Sequence, residues 1–237
     1  MKLKNLTIPL LILVGLFNVF LCANYSKIDY NYALREVKLV HRANKIIIMG
    51  DSRMELIRDK RNYLNISNNI SFIALSGAKI DWFLTTGVPE LFKTIKNNPN
   101  FKYSVVINMG VNDLNSEMSA TKHAKYYYDY YVKIAKQLPN VDFYLLSVNP
   151  IDEVRIFKQL RTNQRIKEFN DYLIHKVYRD KIDNIKYCDS FNNLSFVLPD
   201  GLHYDSITDQ KIIDFIINYC IQDEVEYKGK DPIIYYK

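Results

Sequence analysis

A short apolar run that ends in a glycine, an aspartate and a serine constrains this chain most. Residues 46–49 are Ile-Ile-Ile-Met, and Gly50-Asp51-Ser52 follows directly. Continuous β-branched residues are typical of a strand buried in a parallel sheet, and the glycine permits a sharp turn. Residues 53–58 have helical character. We therefore expect Ser52 between the carboxyl end of a strand and the amino end of a helix, where open α/β sheets place their ligand sites and helix N–H groups favour negative charge.

The 237 residues suffice for one α/β domain with a sizeable core. No repeat and no Pro/Gly/Ser-rich linker divides the sequence. We interpret residues 45–221 as this domain. Residues 1–23 are interpreted as a signal peptide or N-terminal membrane anchor, residues 24–44 as a stalk or leading helix, and residues 222–237 as a C-terminal tail.

The amino terminus has the pattern of an export signal. Lys2 and Lys4 precede an uncharged, largely apolar stretch over residues 6–23. Its length is near the ~20 residues with which a helix spans a bilayer, so a cleaved signal and a retained anchor both remain open. In either case the positive charges stay in the cytoplasm. We expect the domain to be extracytoplasmic, secreted or held at the membrane by this segment.

Charge and cysteine content exclude some classes of protein. The formal net charge is +6, and without Lys2 and Lys4 it is +4, spread without a block of like charges. This balance suits an anionic envelope polymer or a membrane surface and is no signature of nucleic-acid binding. Beyond residue 23 there are two cysteines, Cys188 and Cys220. We interpret them as separately buried thiols, with a disulfide as the alternative.

Apolar runs along the chain alternate with segments of helical periodicity. Such alternation predicts a parallel β-sheet covered by helices on both faces. The predicted strands are Lys45–Met49, Ile70–Leu75, Tyr103–Asn108, Asp142–Val148 and Ile182–Tyr187. The predicted helices include Arg53–Asn62 and, near the end of the domain, Thr208–Ile221.

Residues suited to acyl chemistry follow these strands. Ser52 follows the first strand, Gly77 the second and Asn112 the third, while Asp200 and His203 share the loop before the last helix. Because the carboxyl ends of parallel strands lie at one edge of the sheet, these residues can converge. A nucleophilic serine needs a base such as histidine, and the base needs a carboxylate to orient it. The N–H groups of Ser52 and Gly77 and the Asn112 amide are candidate donors to an oxyanion.

Four short blocks together resemble the SGNH hydrolase superfamily, also called GDSL-type esterases. The blocks span most of the domain: Gly50-Asp51-Ser52, then Gly77, then Gly110-Val111-Asn112-Asp113, then Asp200-Gly201-Leu202-His203. The resemblance implies a flavodoxin-like, three-layer α/β/α fold with a five-stranded parallel sheet. It also implies a serine hydrolase with Ser52 as nucleophile, His203 as base and Asp200 as its partner. Ser52, Gly77 and Asn112 would form the oxyanion hole, with Gly50, Asp51, Gly110 and Asp113 in support.

The chain also departs from the family pattern. Arg53 stands where many members carry leucine, and it is predicted either to bind an anionic substrate or to brace local structure. The second block offers only one glycine, Gly77. Tyrosines at 126–128, 130 and 131 could form a sugar-stacking surface, although packing against neighbouring helices or the membrane is favoured. No cluster has metal-ligand spacing, so we expect neither a metal nor another cofactor.

These features favour a serine esterase that removes small acyl groups, with the O-acetyl group of a glycan as the favoured substrate. A membrane-tethered O-acyltransferase is the main alternative. It would use the same triad and an integral membrane protein as acyl donor. A lipid esterase, a thioesterase and a non-catalytic glycan-binding protein are further alternatives, because the fold alone does not choose among them.

Overall fold

Parallel β-strands form one five-stranded sheet in the part of the chain that the structure describes, residues 45–221 of a computed structural model. Its order is β2-β1-β3-β4-β5, the flavodoxin-like order, and the predicted fold class is confirmed. The predicted signal or anchor, the stalk or leading helix and the C-terminal tail lie outside the described residues. The strands are β1 (Lys45–Gly50), β2 (Ile70–Ala74), β3 (Tyr103–Asn108), β4 (Val141–Leu146) and β5 (Ile185–Cys188).

Helices connect successive strands. The two π-helical turns over Phe83–Gly87 and Ile216–Cys220 continue from α2 and α7. None of the helices within residues 45–221 is long and apolar enough to cross a membrane. The helices are α1 (Ser52–Asp59), α2 (Ile80–Trp82), α3 (Val88–Asn97), α4 (Ala120–Gln137), α5 (Asn163–Asp180), α6 (Ser190–Asn193) and α7 (Ser206–Phe215).

The alternation of side chains along β1 divides the core into two layers. Ile47 and Met49 pack with residues of α3, α4 and α5. Ile46 and Ile48 pack on the opposite face, with residues of α1 and α7. Successive side chains of a strand point to opposite faces, so a continuous apolar run fills both layers. This burial holds the carboxyl ends of β1 and β3 side by side, with Gly50 opposite Asn108.

The last strand and the loop after it differ from the prediction. β5 was predicted at Ile182–Tyr187, but it begins at Ile185. The reason is that Lys181, with a φ of 45°, ends α5 in the left-handed conformation. The Asn184 amide then donates to three carbonyl groups near the end of α4 and the start of β4. Residues after β5 were predicted as a loop, but they include α6, which the Asp189 carboxylate caps.

The first predicted helix is also shorter than expected, since α1 ends at Asp59 rather than at residue 62. Cys188 and Cys220 are both buried free thiols, as predicted. The expectation that they are buried separately is wrong, because the Cys188 and Cys220 side chains lie within hydrogen-bond distance of each other.

Candidate active site

The turn between β1 and α1 places Ser52 at the carboxyl edge of the sheet. Gly50 ends β1, and a Cβ atom there would collide with the Met54 side chain. The Asp51 carboxylate caps α1 by accepting the Arg53 N–H at 3.0 Å, the usual role of an N-cap aspartate. Ser52 is thereby the first residue of the helix, at the predicted strand-to-helix junction.

His203 joins Ser52 to Asp200. Its Nε2 lies 2.9 Å from the Ser52 Oγ, and its Nδ1 lies 2.6 Å from the Asp200 Oδ2. The other carboxylate oxygen of Asp200 accepts the N–H groups of Leu202 at 2.9 Å and His203 at 2.7 Å. The structure thus brings three predicted residues together in the order serine, histidine, aspartate.

The protonation of Asp200 sets the direction of the hydrogen bonds. Partial burial pushes the pKa of Asp200 upward, but hydrogen bonds from the backbone and ring of His203 and from the Leu202 N–H outweigh it. They hold the pKa at about 2. An ionised carboxylate only accepts, so Nδ1 of His203 carries the hydrogen. In the neutral ring the lone pair of Nε2 then faces the Ser52 hydroxyl, as a general base requires.

Arg53 braces the loops around this triad. Its side chain is only 1% exposed. Its three guanidinium nitrogens donate to the carbonyl oxygens of Leu202, Asn149 and Pro150 at 3.0, 2.8 and 2.9 Å, and its Cζ lies 5.0 Å from the centre of the Tyr204 ring. These contacts fit the bracing role rather than the predicted alternative of substrate binding, because every nitrogen already donates to the protein.

The backbone N–H groups of Ser52 and Gly77 are available to donate to an oxyanion. Among residues 45–221, the N–H groups of Ser52 and Gly77 have no acceptor. Gly77 adopts a φ of 73° in the turn after β2. This turn is tied to α1 because the Glu55 carboxylate accepts the Ser76 N–H at 2.7 Å. These features suit the predicted role of both groups as oxyanion donors.

Asn112 lies beside the Gly77 turn and is held at both ends of its amide. Its Nδ2 donates to the Ala78 carbonyl oxygen at 3.0 Å, and its Oδ1 accepts from Arg161 at 3.4 Å. The second hydrogen on Nδ2 has no acceptor among the described residues. Asn112 is buried, with 9% of the residue exposed.

Gly110 and Asp113 shape the loop that carries Asn112. Gly110 has a φ of 125°, and a Cβ atom there would lie 2.7 Å from the Phe169 ring. The Asp113 carboxylate accepts the Ile80 N–H at 3.2 Å and the Tyr127 hydroxyl at 2.6 Å. Burial raises the pKa of Asp113, and the Tyr127 hydrogen bond opposes this rise. Asp51 is buried likewise: burial raises its pKa, and the Arg53 charge opposes the rise.

Arg161 is a residue of this site that the sequence analysis missed. It lies just before α5, and besides its contact with Asn112 its Nε is buried without an acceptor. Burial lowers the pKa of its guanidinium, as does the nearby charge of Arg53. The one feature of the sequence that could have indicated Arg161 is that it is a polar residue after the fourth strand. It was weak, because 14 residues (147–160) separate Leu146 from Arg161.

Within residues 45–221, no group of three or more His, Cys, Asp or Glu side chains is arranged to hold a metal ion. The expectation of a metal-free reaction stays a prediction.

The fold is similar to that of several solved structures. They include a GDSL-like lipase from Bacteroides thetaiotaomicron, with 18% identity, a TM-score of 0.51 and coverage of 79% of this chain and 93% of that one. A carbohydrate esterase family 3 protein from Talaromyces cellulolyticus has 16% identity, a TM-score of 0.52 and coverage of 73% and 93%. A lipase/acylhydrolase from Enterococcus faecalis has 15% identity, a TM-score of 0.51 and the same coverage.

No protein-family model matches the chain, and no curated protein matches it in sequence. The structural neighbours are thus GDSL-like lipases, acylhydrolases and carbohydrate esterases that share less than a quarter of their residues with it. The fold of this chain is similar to that of GDSL-like lipases, acylhydrolases and carbohydrate esterases, as the resemblance of its four sequence blocks implied.

Proposed function

We propose that this chain is a serine esterase that hydrolyses small acyl esters, with the O-acetyl group of a glycan as its favoured substrate. The relay of Ser52, His203 and Asp200, with separations of 2.9 and 2.6 Å, carries the proposal. The similarity in fold to a carbohydrate esterase and a lipase/acylhydrolase supports it.

The geometry supports a two-step mechanism. The Ser52 Oγ attacks the carbonyl carbon of the ester while its proton passes to the Nε2 of His203. The N–H groups of Ser52 and Gly77 and the Asn112 amide donate to the oxyanion that forms. As the intermediate collapses, the bond to the sugar oxygen breaks, and that oxygen takes the proton from His203. Water then attacks the acyl-serine with His203 again as base, which releases acetate and restores the Ser52 hydroxyl.

Hydrolysis of p-nitrophenyl acetate and of acetylated xylo-oligosaccharides by the full chain tests the proposal. We expect acetate release from both and covalent labelling by a fluorophosphonate. Ser52→Ala should abolish turnover and labelling, because no other described side chain occupies the position of the nucleophile. Ser195→Ala is the matched control, since Ser195 is an exposed serine in the loop before Asp200, and it should behave as wild type. Wild-type labelling of Ser52→Ala would overturn the assignment.

Adding an unacetylated oligosaccharide to the same reaction separates hydrolysis from transfer. Free acetate as the product supports the esterase, whereas acetylated acceptor supports the O-acyltransferase, in which a sugar hydroxyl replaces water.

We also propose an extracytoplasmic location. The charged and apolar pattern of residues 2–23 supports it. Protease added to intact cells should then degrade the chain, and complete protection would contradict this location.

A further inference from the structure

A second cleft lies directly behind the segment that adjoins the oxyanion hole. Residues 78–80 form the shared wall: the Ala78 carbonyl oxygen accepts from Asn112, and the Ile80 N–H donates to Asp113. Because only Ala78 separates Lys79 from Gly77, the Cα atoms of Lys79 and Gly77 are at most about 7 Å apart. The cleft therefore begins close to the reacting ester. It has a volume of about 400 Å³, and its lining includes Lys79, Ile80, Asp81, Met118, His123 and Tyr126.

His123 presents an unused hydrogen-bond acceptor in this cleft. The Ser116 hydroxyl donates to the Asp113 carbonyl oxygen at 2.7 Å, so it has no hydrogen left for His123. The His123 Nε2, 2.7 Å from the Ser116 Oγ, must therefore donate. Burial lowers the pKa of His123 and favours the neutral ring, which leaves a lone pair on Nδ1. Among residues 45–221 this nitrogen has no partner.

The same arrangement explains why Ser116 is no second nucleophile. Its hydroxyl hydrogen points to a backbone carbonyl and its oxygen accepts from the imidazole. This is the reverse of the proton transfer that a nucleophilic serine needs.

Tyr126 adds an exposed aromatic face to the lining. The other tyrosines of its cluster at 127, 128 and 131 are at most 3% exposed, whereas Tyr126 is 52% exposed. Its ring is tilted against Tyr130, with the ring centres 6.0 Å apart. Beside it, the Lys79 ammonium and Asp81 carboxylate make no hydrogen bond or ion pair with other described residues.

This combination matches the chemistry of a sugar. A pyranose has an apolar C–H face that can stack on an aromatic ring and a rim of hydroxyls that donate and accept hydrogen bonds. An apolar pocket with a few converging polar groups is the usual form of a small-molecule site. An acyl chain would leave the His123 Nδ1 and the two charged groups unused, so the lining favours a sugar.

We propose that this cleft binds a sugar unit of the acylated glycan, stacked on Tyr126 with a hydroxyl donating to His123, while the ester of a neighbouring unit reacts at Ser52. The inference rests on the proposed esterase function.

Substitution of Tyr126 tests the subsite against a small ester that occupies the reaction centre alone. Tyr126→Ala should raise the KM for acetylated xylo-oligosaccharides by about three- to tenfold, because one aromatic contact is lost. It should leave kcat/KM for p-nitrophenyl acetate unchanged. Tyr126→Trp and Tyr126→Phe keep the aromatic face and should retain wild-type KM. Tyr178→Ala is the matched control, because Tyr178 is an exposed tyrosine near the carboxyl end of α5 and does not line this cleft.

The outcomes separate failure of the subsite from failure of the function. If wild type cleaves neither ester, the proposed function fails. If it cleaves p-nitrophenyl acetate but no acetylated oligosaccharide, or if Tyr126→Ala behaves as wild type on both, the subsite is overturned. If Tyr126→Ala lowered kcat/KM only for p-nitrophenyl octanoate, the subsite would also be overturned, because the cleft would then hold an acyl chain.

Discussion

At the scale of single residues, the candidate site depends on side chains whose orientation is fixed by hydrogen bonds to neighbouring loops. Asn112 shows this: the Ala78 carbonyl oxygen requires an N–H and Arg161 requires an oxygen, so both neighbours select the same orientation of the amide. The positive charge of Arg161, next to the Asn112 Oδ1, also polarises the amide and strengthens its N–H groups as donors. We therefore expect Arg161 to position the Asn112 amide for its proposed role as oxyanion donor.

Arg161→Met should lower kcat about tenfold with little change in KM, because the lost charge favours the oxyanion more than the neutral ester. Steady-state kinetics with p-nitrophenyl acetate measures this. Arg165→Met is the control, since Arg165 lies one turn further along the chain and donates to the Met118 carbonyl oxygen instead. The double variant Arg161→Met/Asn112→Ala should lose less transition-state stabilisation than the sum of the losses in the two single variants, because Arg161 acts through Asn112. Equal losses for Arg161→Met and Arg165→Met would contradict the assigned role.

Asp200 should make the stability of the fold sensitive to acid. Its pKa of about 2 in the folded chain is below the ~3.9 of an unfolded aspartate, so the unfolded chain binds more protons between these values. The stabilisation is present in full above the unfolded pKa and is lost as the pH falls towards 2.

Urea unfolding of wild type and Asp200→Asn between pH 7 and pH 2 checks this dependence. The difference in free energy of unfolding should be constant at neutral pH and should shrink below about pH 4. A difference that stays constant down to pH 2 would show that the hydrogen bonds of Asp200 do not favour its ionised form.

At the scale of elements, the turns at the strand ends place the reactive groups. Gly50, Gly77 and Gly110 each lie at or just after the end of a strand, but they serve different needs. At Gly50 the absence of a Cβ atom lets α1 pack close to the sheet, and at Gly110 a Cβ atom would collide with the Phe169 ring. Gly77 has open space around its missing Cβ and needs glycine only for its positive φ.

Gly110→Ala should therefore destabilise the fold more than Gly77→Ala. We expect a loss of at least about 2 kcal/mol at Gly110, where a strained φ adds to a collision with Phe169. At Gly77 a loss of about 1 kcal/mol is expected, since only the left-handed backbone is unfavourable for alanine. Thermal or urea unfolding of the two variants gives the comparison. Similar losses would mean that the Phe169 ring moves aside at little cost.

At the scale of the whole molecule, the five-stranded sheet within residues 45–221 separates two packed layers. β1 and β3 pair with strands on both sides and contribute side chains to both layers. β2 and β5 are the edge strands of the sheet. Ser52 and Asn112 follow β1 and β3 at the carboxyl edge, so these two central strands support two residues of the candidate site.

Hydrogen exchange should follow this order. Backbone amides of β1 and β3 should exchange slowest, because they open only when most of the fold opens. Amides of β2 and β5 should exchange faster. Exchange measured by mass spectrometry or NMR on the full chain checks the order. Protection that is highest in an edge strand would show that the sheet is not the most stable unit.

The sequence by itself determined the fold class, the order of the strands along the chain and the four blocks that lie at the candidate site. These properties are local: a β-branched run, a glycine at a turn and a capping aspartate act on residues a few positions away. Parallel pairing then brings the strand ends, and with them Ser52 and Asn112, to one edge. Asp200 and His203 could be linked because only three positions separate them.

Only the tertiary structure decided which partners the other polar side chains take. Arg53 donates to a carbonyl 149 positions away, and Arg161 meets Asn112 across 49 positions. The cleft beside Tyr126 forms where the turn after β2 faces the start of α4. A single sequence records no such pairing, because hydrogen bonds between distant residues depend on loop paths and packing distances. The burial of Asn112 and its contact with Arg161 follow from those distances.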